Sequence, residues 1–420
     1  MTGRAPDSTA RAILGASVGW LGISMISDGV PTLLLPYRLA VAGTEDAATL
    51  GIAALIGILL AALLQPFAGA WSDSVGRWPV VLVGVVLTGA GLALFVFSSE
   101  VTALVYGLVL ALCGVSVVQA GQQALLPDAV DVSRRGVASG LKGAFDVGGA
   151  LLGFIVLAAL LGVGQFAESA AAMWIVLAAG ALIGFALIGR SRRVLASAGA
   201  QEAFALARNP FAGDWSAHAP LLRLIAVRFV FLLGIYVVGR FLFTFVAAHF
   251  GLSPDEAAGQ AGVVLTVLAA ATVAASLPTG WLADRLGRAR LMQAGGLLGA
   301  VGIALVPFVP TVGALMLVGL LIAAGSAAFG SGSWALLSDL AAGPESGRLM
   351  GLAQLGTAGA AAAAGLFGLL IDAGERFSSG AGYAAAFALA AAAALLGALL
   401  WRVEVPVPQP ERPVQIEVVR

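Results

Sequence analysis

Long apolar runs restrict the fold of this chain more than any other feature of its sequence. Twelve runs of about 18 residues or more lie between charged or Pro/Gly-rich breaks. As a helix rising about 1.5 Å per residue, each run can cross the hydrocarbon core of a bilayer, where the backbone must satisfy its own hydrogen bonds. We therefore predict an all-α membrane protein with helices over 12–37, 47–70, 79–98, 101–127, 136–163, 169–189, 223–249, 256–281, 290–309, 311–337, 347–372 and 380–401.

Composition supports this class and excludes others. Hydrophobic residues make up 60% of the 420 residues and charged residues only 10%, whereas charged residues are about a quarter of soluble proteins. The 22 basic residues balance the 22 acidic ones, so no net charge favours nucleic acid as a partner. Two histidines, the single Cys113 and the lack of a phosphate-binding loop or nucleophile motif predict no metal, no cofactor and no enzymatic activity.

The distribution of charge predicts the orientation. Most basic residues fall in the loops of one side, and the other side has only Arg38 and Arg376. Because basic loops stay in the cytoplasm, we expect both termini to be cytoplasmic in a multi-pass protein of the cell membrane. The first apolar run is too long for a signal peptide and is expected to remain as a helix. The predicted domains are a first bundle at 1–189, a polar linker at 190–222 with a short helix at 201–208, a second bundle at 223–401 and a cytoplasmic tail at 402–420.

The second half of the sequence repeats the first at a fixed shift of 211 residues. Asp128 aligns with Asp339, Gly136 aligns with Gly347, and a longer motif elsewhere aligns without a gap. A repeat of six helices keeps both copies in the same orientation, which predicts two six-helix bundles related by a pseudo-two-fold axis along the membrane normal. The aligned residues of the longer motif are Gly69, Asp73, Gly76 and Arg77 in the first copy and Gly280, Asp284, Gly287 and Arg288 in the second.

This motif, between predicted helices 2 and 3 and again between 8 and 9, resembles the loop signature of the major facilitator superfamily. The resemblance covers the whole chain and implies that family's fold, with both motifs acting as conformational latches on the cytoplasmic side. By resemblance, Asp73 would close against the start of helix 11 near Gly347 and Arg348, and Asp284 against the start of helix 5 near Gly136. Glycine would permit close backbone approach, and the aspartate would face a helix N-terminus. The alternative is that both aspartates only solvate tight turns.

Ionisable side chains at membrane depth are costly, so each one is a functional candidate. Asp28 in helix 1 and Arg240 in helix 7 fall at neighbouring positions of the repeat, and we predict that they pair as an outer gate that opens when Asp28 is protonated. The alternative is a static pair, or an Arg240 that reaches the headgroups. Lys142 and Asp146 are four residues apart on helix 5, and we favour a self-neutralising pair over a coupling or substrate site near the middle of the membrane. Arg228, near the inner end of helix 7, can extend to the headgroups.

Uncharged polar and aromatic residues of the predicted helices are candidates for binding a solute. Glutamine amides can bind the hydroxyl or amide groups of a polar solute, and aromatic rings can stack on a sugar or drug ring. The alternative is that these side chains only pack and hydrogen-bond between helices. The candidates are Gln119, Gln122, Gln354, Trp20, Tyr236 and Trp334.

Together with the resemblance, these residues predict a secondary active transporter, a monomer in the lipid bilayer that moves a small-molecule substrate by alternating access. Carboxylates inside the membrane suit protons as the coupling ion, and Asp28 and Asp146 are the candidates. We favour symport of a sugar-like polar solute. Helix 5 lacks the Gly-Pro pair of the family's antiporter signature, which makes a drug or metabolite exporter the second choice. A sensor of this fold that does not transport is a further alternative.

Overall fold

The computed structural model of the chain describes residues 6–44, 46–130, 134–188, 218–340 and 346–401. Within these ranges twelve helices are long and apolar enough to cross a membrane, which confirms the predicted all-α membrane fold. The first bundle contains α1 (Pro6–Ser17, Gly19–Gly29, a π-helical turn at Val30–Leu34, and Leu35–Val41), α2 (Ala47–Val75), α3 (Arg77–Phe97), α4 (Val101–Ala129), α5 (Arg135–Leu161) and α6 (Phe166–Ile188). The second bundle contains α7 (Ala219–Phe250), α8 (Pro254–Leu286), α9 (Arg288–Leu305), α10 (Val312–Leu340), α11 (Ser346–Ala363 and Phe367–Glu375, joined by a 3₁₀ turn at Ala364–Leu366) and α12 (Ala381–Leu400).

The polar segments between and after the bundles are mostly outside the described residues. This applies to the predicted short helix at 201–208, to 190–217 of the predicted linker and to the predicted tail at 402–420. Helix α7 begins at Ala219, inside the predicted linker, so the second bundle starts a few residues earlier than the apolar pattern indicates. The division into domains otherwise stays a prediction.

A π-helical turn interrupts α1 and leaves one backbone carbonyl, that of Pro31, without a partner in its own helix. Proline has no backbone N–H. In this turn the N–H of Leu35 donates to the carbonyl of Val30, five residues back, instead of to Pro31. The next residue, Pro36, has no N–H to donate. The carbonyl of Pro31 is therefore left as an acceptor for another helix, deep in the membrane-spanning part of the chain.

Equivalent ion pairs hold the loop motif of each half inside its own bundle. In the first half, Nε of Arg77 lies 2.9 Å from a carboxylate oxygen of Asp128, so the start of α3 is tied to the end of α4. In the second half, Arg288 makes the equivalent pair with Asp339, between α9 and α10. The two pairs occupy aligned positions of the repeat, so the halves share local side-chain packing as well as helix order.

The two bundles touch through their backbones at one end of the molecule. We call the end that holds Arg77 and Arg288 the basic end, and the other the opposite end. At the opposite end a Cβ on Gly51 of α2 would overlap the carbonyl of Gly365 next to α11. A Cβ on Gly262 of α8 would likewise meet Ala158 of α5. Glycine permits this close approach of helices, so the bundles are closed together here.

The same helices do not pack closely toward the basic end. At Gly69 in α2, Gly148 in α5 and Gly280 in α8, no atom lies within 4 Å of the position that a Cβ would take. Hydrogen bonds between described residues of the two bundles also lie toward the opposite end. Among the described residues, the backbone contacts and hydrogen bonds that close the two bundles together therefore lie toward the opposite end, and these glycines of the basic end add none.

Replacing Gly51 by alanine should weaken the closed end, because the new methyl group would overlap the backbone at Gly365, which cannot move without shifting α11. Overpacking of this kind costs about 1–3 kcal/mol. We expect the melting temperature of the purified protein to fall by a few degrees, measured by scanning fluorimetry in detergent. The matched control is Gly148→Ala, which has open space around it and should leave the melting temperature unchanged or raise it. Equal effects of the two variants would contradict the close approach.

Candidate functional site

Ionisable residues from both bundles face the space between them. Asp28 on α1 is exposed, although the adjacent Gly29 and Val30 are buried. Its carboxylate lies within electrostatic range of Asp146 on α5 and of Tyr236 on α7. Among the described residues no basic group lies within ion-pair distance of Asp28. Asp28 is therefore a carboxylate deep in the protein that reaches open space and has no cationic partner.

The second carboxylate, Asp146, is held by its neighbours. Nζ of Lys142, one helical turn earlier on α5, lies 3.4 Å from one carboxylate oxygen. The hydroxyl of Ser24 on α1 donates to the other oxygen. Lys142 also lies over the ring of Trp20, with Nζ 3.6 Å from the ring centroid. These contacts form a compensated group on α1 and α5, with Trp20 only 2% exposed beneath the ammonium group.

Arg240 of α7 contacts α1, but its partner there is not Asp28. Nη1 of Arg240 donates to the carbonyl of Pro31 at 2.5 Å, the acceptor that the π-helical turn leaves free. Arg240 is 5% exposed, so it does not reach the headgroups. The predicted ion pair with Asp28 is not formed in this conformation. The contact between α1 and α7 exists, and its acceptor is a backbone carbonyl. That carbonyl is free because the π-helical turn diverts the N–H of Leu35 to Val30, and Pro36 has no N–H to replace it.

Arg228 also stays inside the protein, instead of extending to the headgroups as its position near the helix end suggests. It is 5% exposed. Its Nη1 donates to the hydroxyl of Ser333 on α10 at 2.5 Å, and its Cζ lies 4.4 Å from the ring centroid of Trp334. Trp334, a predicted substrate-binding residue, is 39% exposed. The side chain of Arg228 thus lies between α7 and α10.

The other predicted substrate-binding residues differ in their surroundings. Gln122 on α4 is fully buried, and its amide donates to the carbonyl of Ala16 on α1 at 3.2 Å. In this conformation it hydrogen-bonds α4 to α1, and its role in binding a solute stays a prediction. Gln354 on α11 is exposed, whereas Gln119 and Tyr236 are half-buried. A role in binding a solute stays a prediction for these three and for Trp20 and Trp334.

The glycines of the loop motifs differ in their surroundings. Gly76 and Gly287 join one helix to the next with φ of 100° and 89°, a conformation that favours glycine. Gly69 and Gly280 have no atom within 4 Å of a Cβ position, so they make no close backbone contact in this conformation. Gly76 and Gly287 therefore allow the tight turns that join consecutive helices.

The acidic members of the proposed latches cannot be placed. The side chains of Asp73 and Asp284, and the surroundings of Gly136, Gly347 and Arg348, lie outside the described part of the chain. The latch role of the motif stays a prediction.

Two hydrogen-bonded contacts that the sequence analysis missed join the bundles at the opposite end. Asp372 of α11 accepts from the backbone N–H groups of Ala47 and Ala48, each at 2.8 Å. These N–H groups begin α2 and have no partner within their own helix. The hydroxyl of Tyr37 donates to Asp255 at the start of α8, also at 2.8 Å. Each contact joins residues more than two hundred positions apart, and no local sequence signal predicts it.

Substituting Asp372 by asparagine should loosen the closed end, because the amide keeps one acceptor oxygen and loses the charge that faces the N-terminus of α2. A hydrogen bond to a charged group contributes about 1.5–3 kcal/mol, so we expect opening at this end to increase by roughly 10- to 150-fold. The rate of amide hydrogen exchange at the first turn of α2 measures this opening.

Glu375→Gln is the matched control, because Glu375 accepts from the N–H groups of Gly380 and Gly382 within its own bundle. It should leave exchange in α2 unchanged. If Asp372→Asn also leaves α2 unchanged, Asp372 does not hold the bundles together.

Three solved structures illustrate how widely this fold is shared. The peptide transporter POT in complex with alafosfalin has a TM-score of 0.72 and 15% identity, over 92% of this chain and 93% of that one. A mutant of the nucleoside transporter NupG has a TM-score of 0.68 and 15% identity, over 93% and 98%. A bacterial homolog to the human lysosomal transporter Spinster, inward-facing and occupied, has a TM-score of 0.67 and 14% identity, over 95% of both chains. At these identities the likeness concerns the fold alone.

The sequence itself gives the family. No curated protein matches the chain. The family model of the Major Facilitator Superfamily matches residues 17–259 and 224–420, two overlapping matches that together cover nearly the whole chain. This confirms the resemblance seen in the two loop motifs and agrees with the twelve helices. The chain therefore belongs to the Major Facilitator Superfamily and is a membrane transporter of that type.

Proposed function

We propose that the chain is a proton-coupled secondary transporter that carries a small polar solute by alternating access, as a monomer in the cell membrane. The observation that carries the proposal is Asp28, an exposed carboxylate in a membrane-spanning helix with no cationic partner among the described residues. An ionisable side chain at membrane depth costs free energy, so its presence points to a function. We take the basic end as cytoplasmic, which makes this conformation inward-facing.

The unequal packing of the two ends supports alternating access. The opposite end is held by glycine contacts and by the hydrogen bonds of Asp372, Tyr37 and Arg240, whereas the glycines of α2, α5 and α8 toward the basic end have open space. A transporter of this architecture works by rocking one bundle against the other around a central site. In the other state the loop motifs of the basic end would close while these hydrogen bonds separate.

Asp28 is a better proton carrier than Asp146 for a physical reason. Asp146 has an ammonium partner at 3.4 Å and a hydroxyl donor, so protonating it would break an ion pair and a hydrogen bond. Asp28 has no ion pair to break among the described residues, and its side chain is exposed. Protonating Asp28 removes an uncompensated charge from the membrane interior, and this change can accompany the movement of the bundles.

We favour symport for the coupling. Tyr236, half-buried and within electrostatic range of Asp28 across the interface, can hydrogen-bond a polar solute. Gln354 on α11 is exposed and offers a second polar group. The sequence of α5 lacks the Gly-Pro pair that the resemblance associates with antiport. Export of a drug or metabolite and a non-transporting sensor are then separate outcomes of the experiment below.

A thermal-shift screen of the purified protein against sugars, amino acids and cationic drugs at two pH values identifies solutes that bind, because a ligand that binds the folded state raises its melting temperature. A bound solute is then tested for uptake into liposomes that hold the protein and an imposed pH gradient. We expect uptake to accelerate when protons flow in the direction of uptake. Acceleration by the opposite gradient would indicate export, and binding without flux would indicate a sensor.

The substitution Asp28→Asn should remove the response of uptake to the pH gradient, because asparagine cannot take up a proton. Exchange of the solute without a gradient should continue. Asp146→Asn is the comparison: it lowers the rate by leaving Lys142 unpaired, but the response to the gradient should persist. A response that survives in Asp28→Asn and disappears in Asp146→Asn would contradict our assignment of the proton carrier.

A further inference from the structure

Arg228 is a buried cation that proton coupling does not use. It is 5% exposed and lies about 14 Å from the start of α7 at Ala219. Nη1 donates to the hydroxyl of Ser333 at 2.5 Å, and the ring centroid of Trp334 lies 4.4 Å from Cζ. The guanidinium group is thus held from two sides by α10.

No acidic side chain among the described residues neutralises the positive charge of the Arg228 guanidinium group. No carboxylate lies within ion-pair distance of Arg228, and its Nε has no acceptor. A hydroxyl and an aromatic ring compensate a buried cation only in part. Arg240 is the other buried arginine of α7, but it has the free carbonyl of Pro31 and lies toward the closed end, where a solute cannot enter in this conformation.

The surroundings of Arg228 include open space. Trp334 is 39% exposed, and at Gly330, one turn earlier on α10, no atom lies within 4 Å of the position of a Cβ. Gln354 on α11, in the same bundle, is also exposed. Charged and polar groups in such helices face the bundle interior or a wet cavity, not lipid. The Arg228 group therefore borders open space at Trp334 and Gly330.

We infer that Arg228, Ser333 and Trp334 form a subsite for the carboxylate of an organic anion. The inference rests on the proposed function and narrows its substrate class: the solute carries an acidic group and is not a neutral sugar. Guanidinium groups bind carboxylates through two parallel hydrogen bonds, and a guanidinium that is already held by Ser333 and Trp334 loses little freedom when it does so.

The charges across the interface fit this substrate class. On the first bundle Lys142 compensates Asp146, and Asp28 is neutral when it carries the coupled proton. On the second bundle Arg228 remains a cation without a counter-ion. An organic anion that enters with one proton compensates Arg228 and adds no net charge to the interface. Symport of a proton with a monocarboxylate therefore neutralises Asp28 and compensates Arg228 in one step, while Arg240 keeps the carbonyl of Pro31 as its partner.

The test uses the full-length protein in nanodiscs at constant ionic strength, without any gradient. Acetate, lactate and benzoate are compared with acetamide, lactamide and benzamide, their neutral amides. We expect at least one carboxylate to raise the melting temperature by a few degrees while its amide does not. If no carboxylate does so, or if each amide has the same effect as its acid, the subsite does not bind carboxylates.

Substitutions at Arg228 and nearby residues test whether the carboxylate binds at the proposed subsite. Arg228→Gln should weaken the affinity for the bound carboxylate by about 10-fold or more, and Arg228→Lys, which keeps the charge but not the paired geometry, should weaken it less. The matched control is Arg223→Gln, an exposed arginine of the same helix, which should not change the affinity. If Arg228→Gln does not fold, Ser333→Ala serves, since it removes the hydroxyl that orients the guanidinium. Unchanged affinity in the folded variants would overturn the assignment.

Failure of the subsite can be told apart from failure of the proposed transport. Binding of a carboxylate that is lost in Arg228→Gln supports the subsite even if liposomes show no proton-driven uptake, in which case only the coupling is wrong. Proton-driven uptake of a neutral solute, with no binding of any carboxylate, supports transport and overturns the subsite.

Discussion

Hydrocarbon offers no hydrogen-bond partners, and this constraint determines the helices of the chain and the contacts between its bundles. Each backbone group and each charge inside the membrane must find its partner in the protein. Most of the backbone does so within its own helix. At two places where a helix cannot, a group of the other bundle supplies the partner. The carbonyl of Pro31 accepts from Arg240, and the first N–H groups of α2 donate to Asp372.

These exceptions give the bundle interface its specificity. Interlocking glycines such as Gly51 and Gly365 bring the backbones together, but apolar packing alone fixes position weakly in lipid, where no hydrophobic effect drives helices together. Hydrogen bonds to otherwise unsatisfied groups define one relative position of the two bundles. Because those contacts lie toward one end, the space that remains at the other end can expose ionisable side chains such as Asp28 to water without exposing them to lipid.

The charges on the two sides of this space differ in kind. The first bundle contributes two carboxylates, one of them compensated by Lys142, and the second contributes two arginines with no carboxylate beside them among the described residues. The repeat explains the symmetric part of the molecule, where Arg77 with Asp128 and its aligned counterpart hold each half together. The residues that break the repeat are those that face each other across the interface and can act on a solute and a proton.

The sequence by itself determined the class of fold, the twelve helices and the two aligned loop motifs, because helix length and hydropathy follow from local composition and the repeat follows from identity at a fixed shift. It also pointed to Asp28, Lys142, Asp146 and Arg240 as ionisable residues at membrane depth. Only the tertiary structure decided their partners. Arg240 bonds a carbonyl instead of Asp28, Gln122 is covered by α1, and Asp372 caps a helix of the other bundle, since these outcomes depend on which surfaces of distant helices meet.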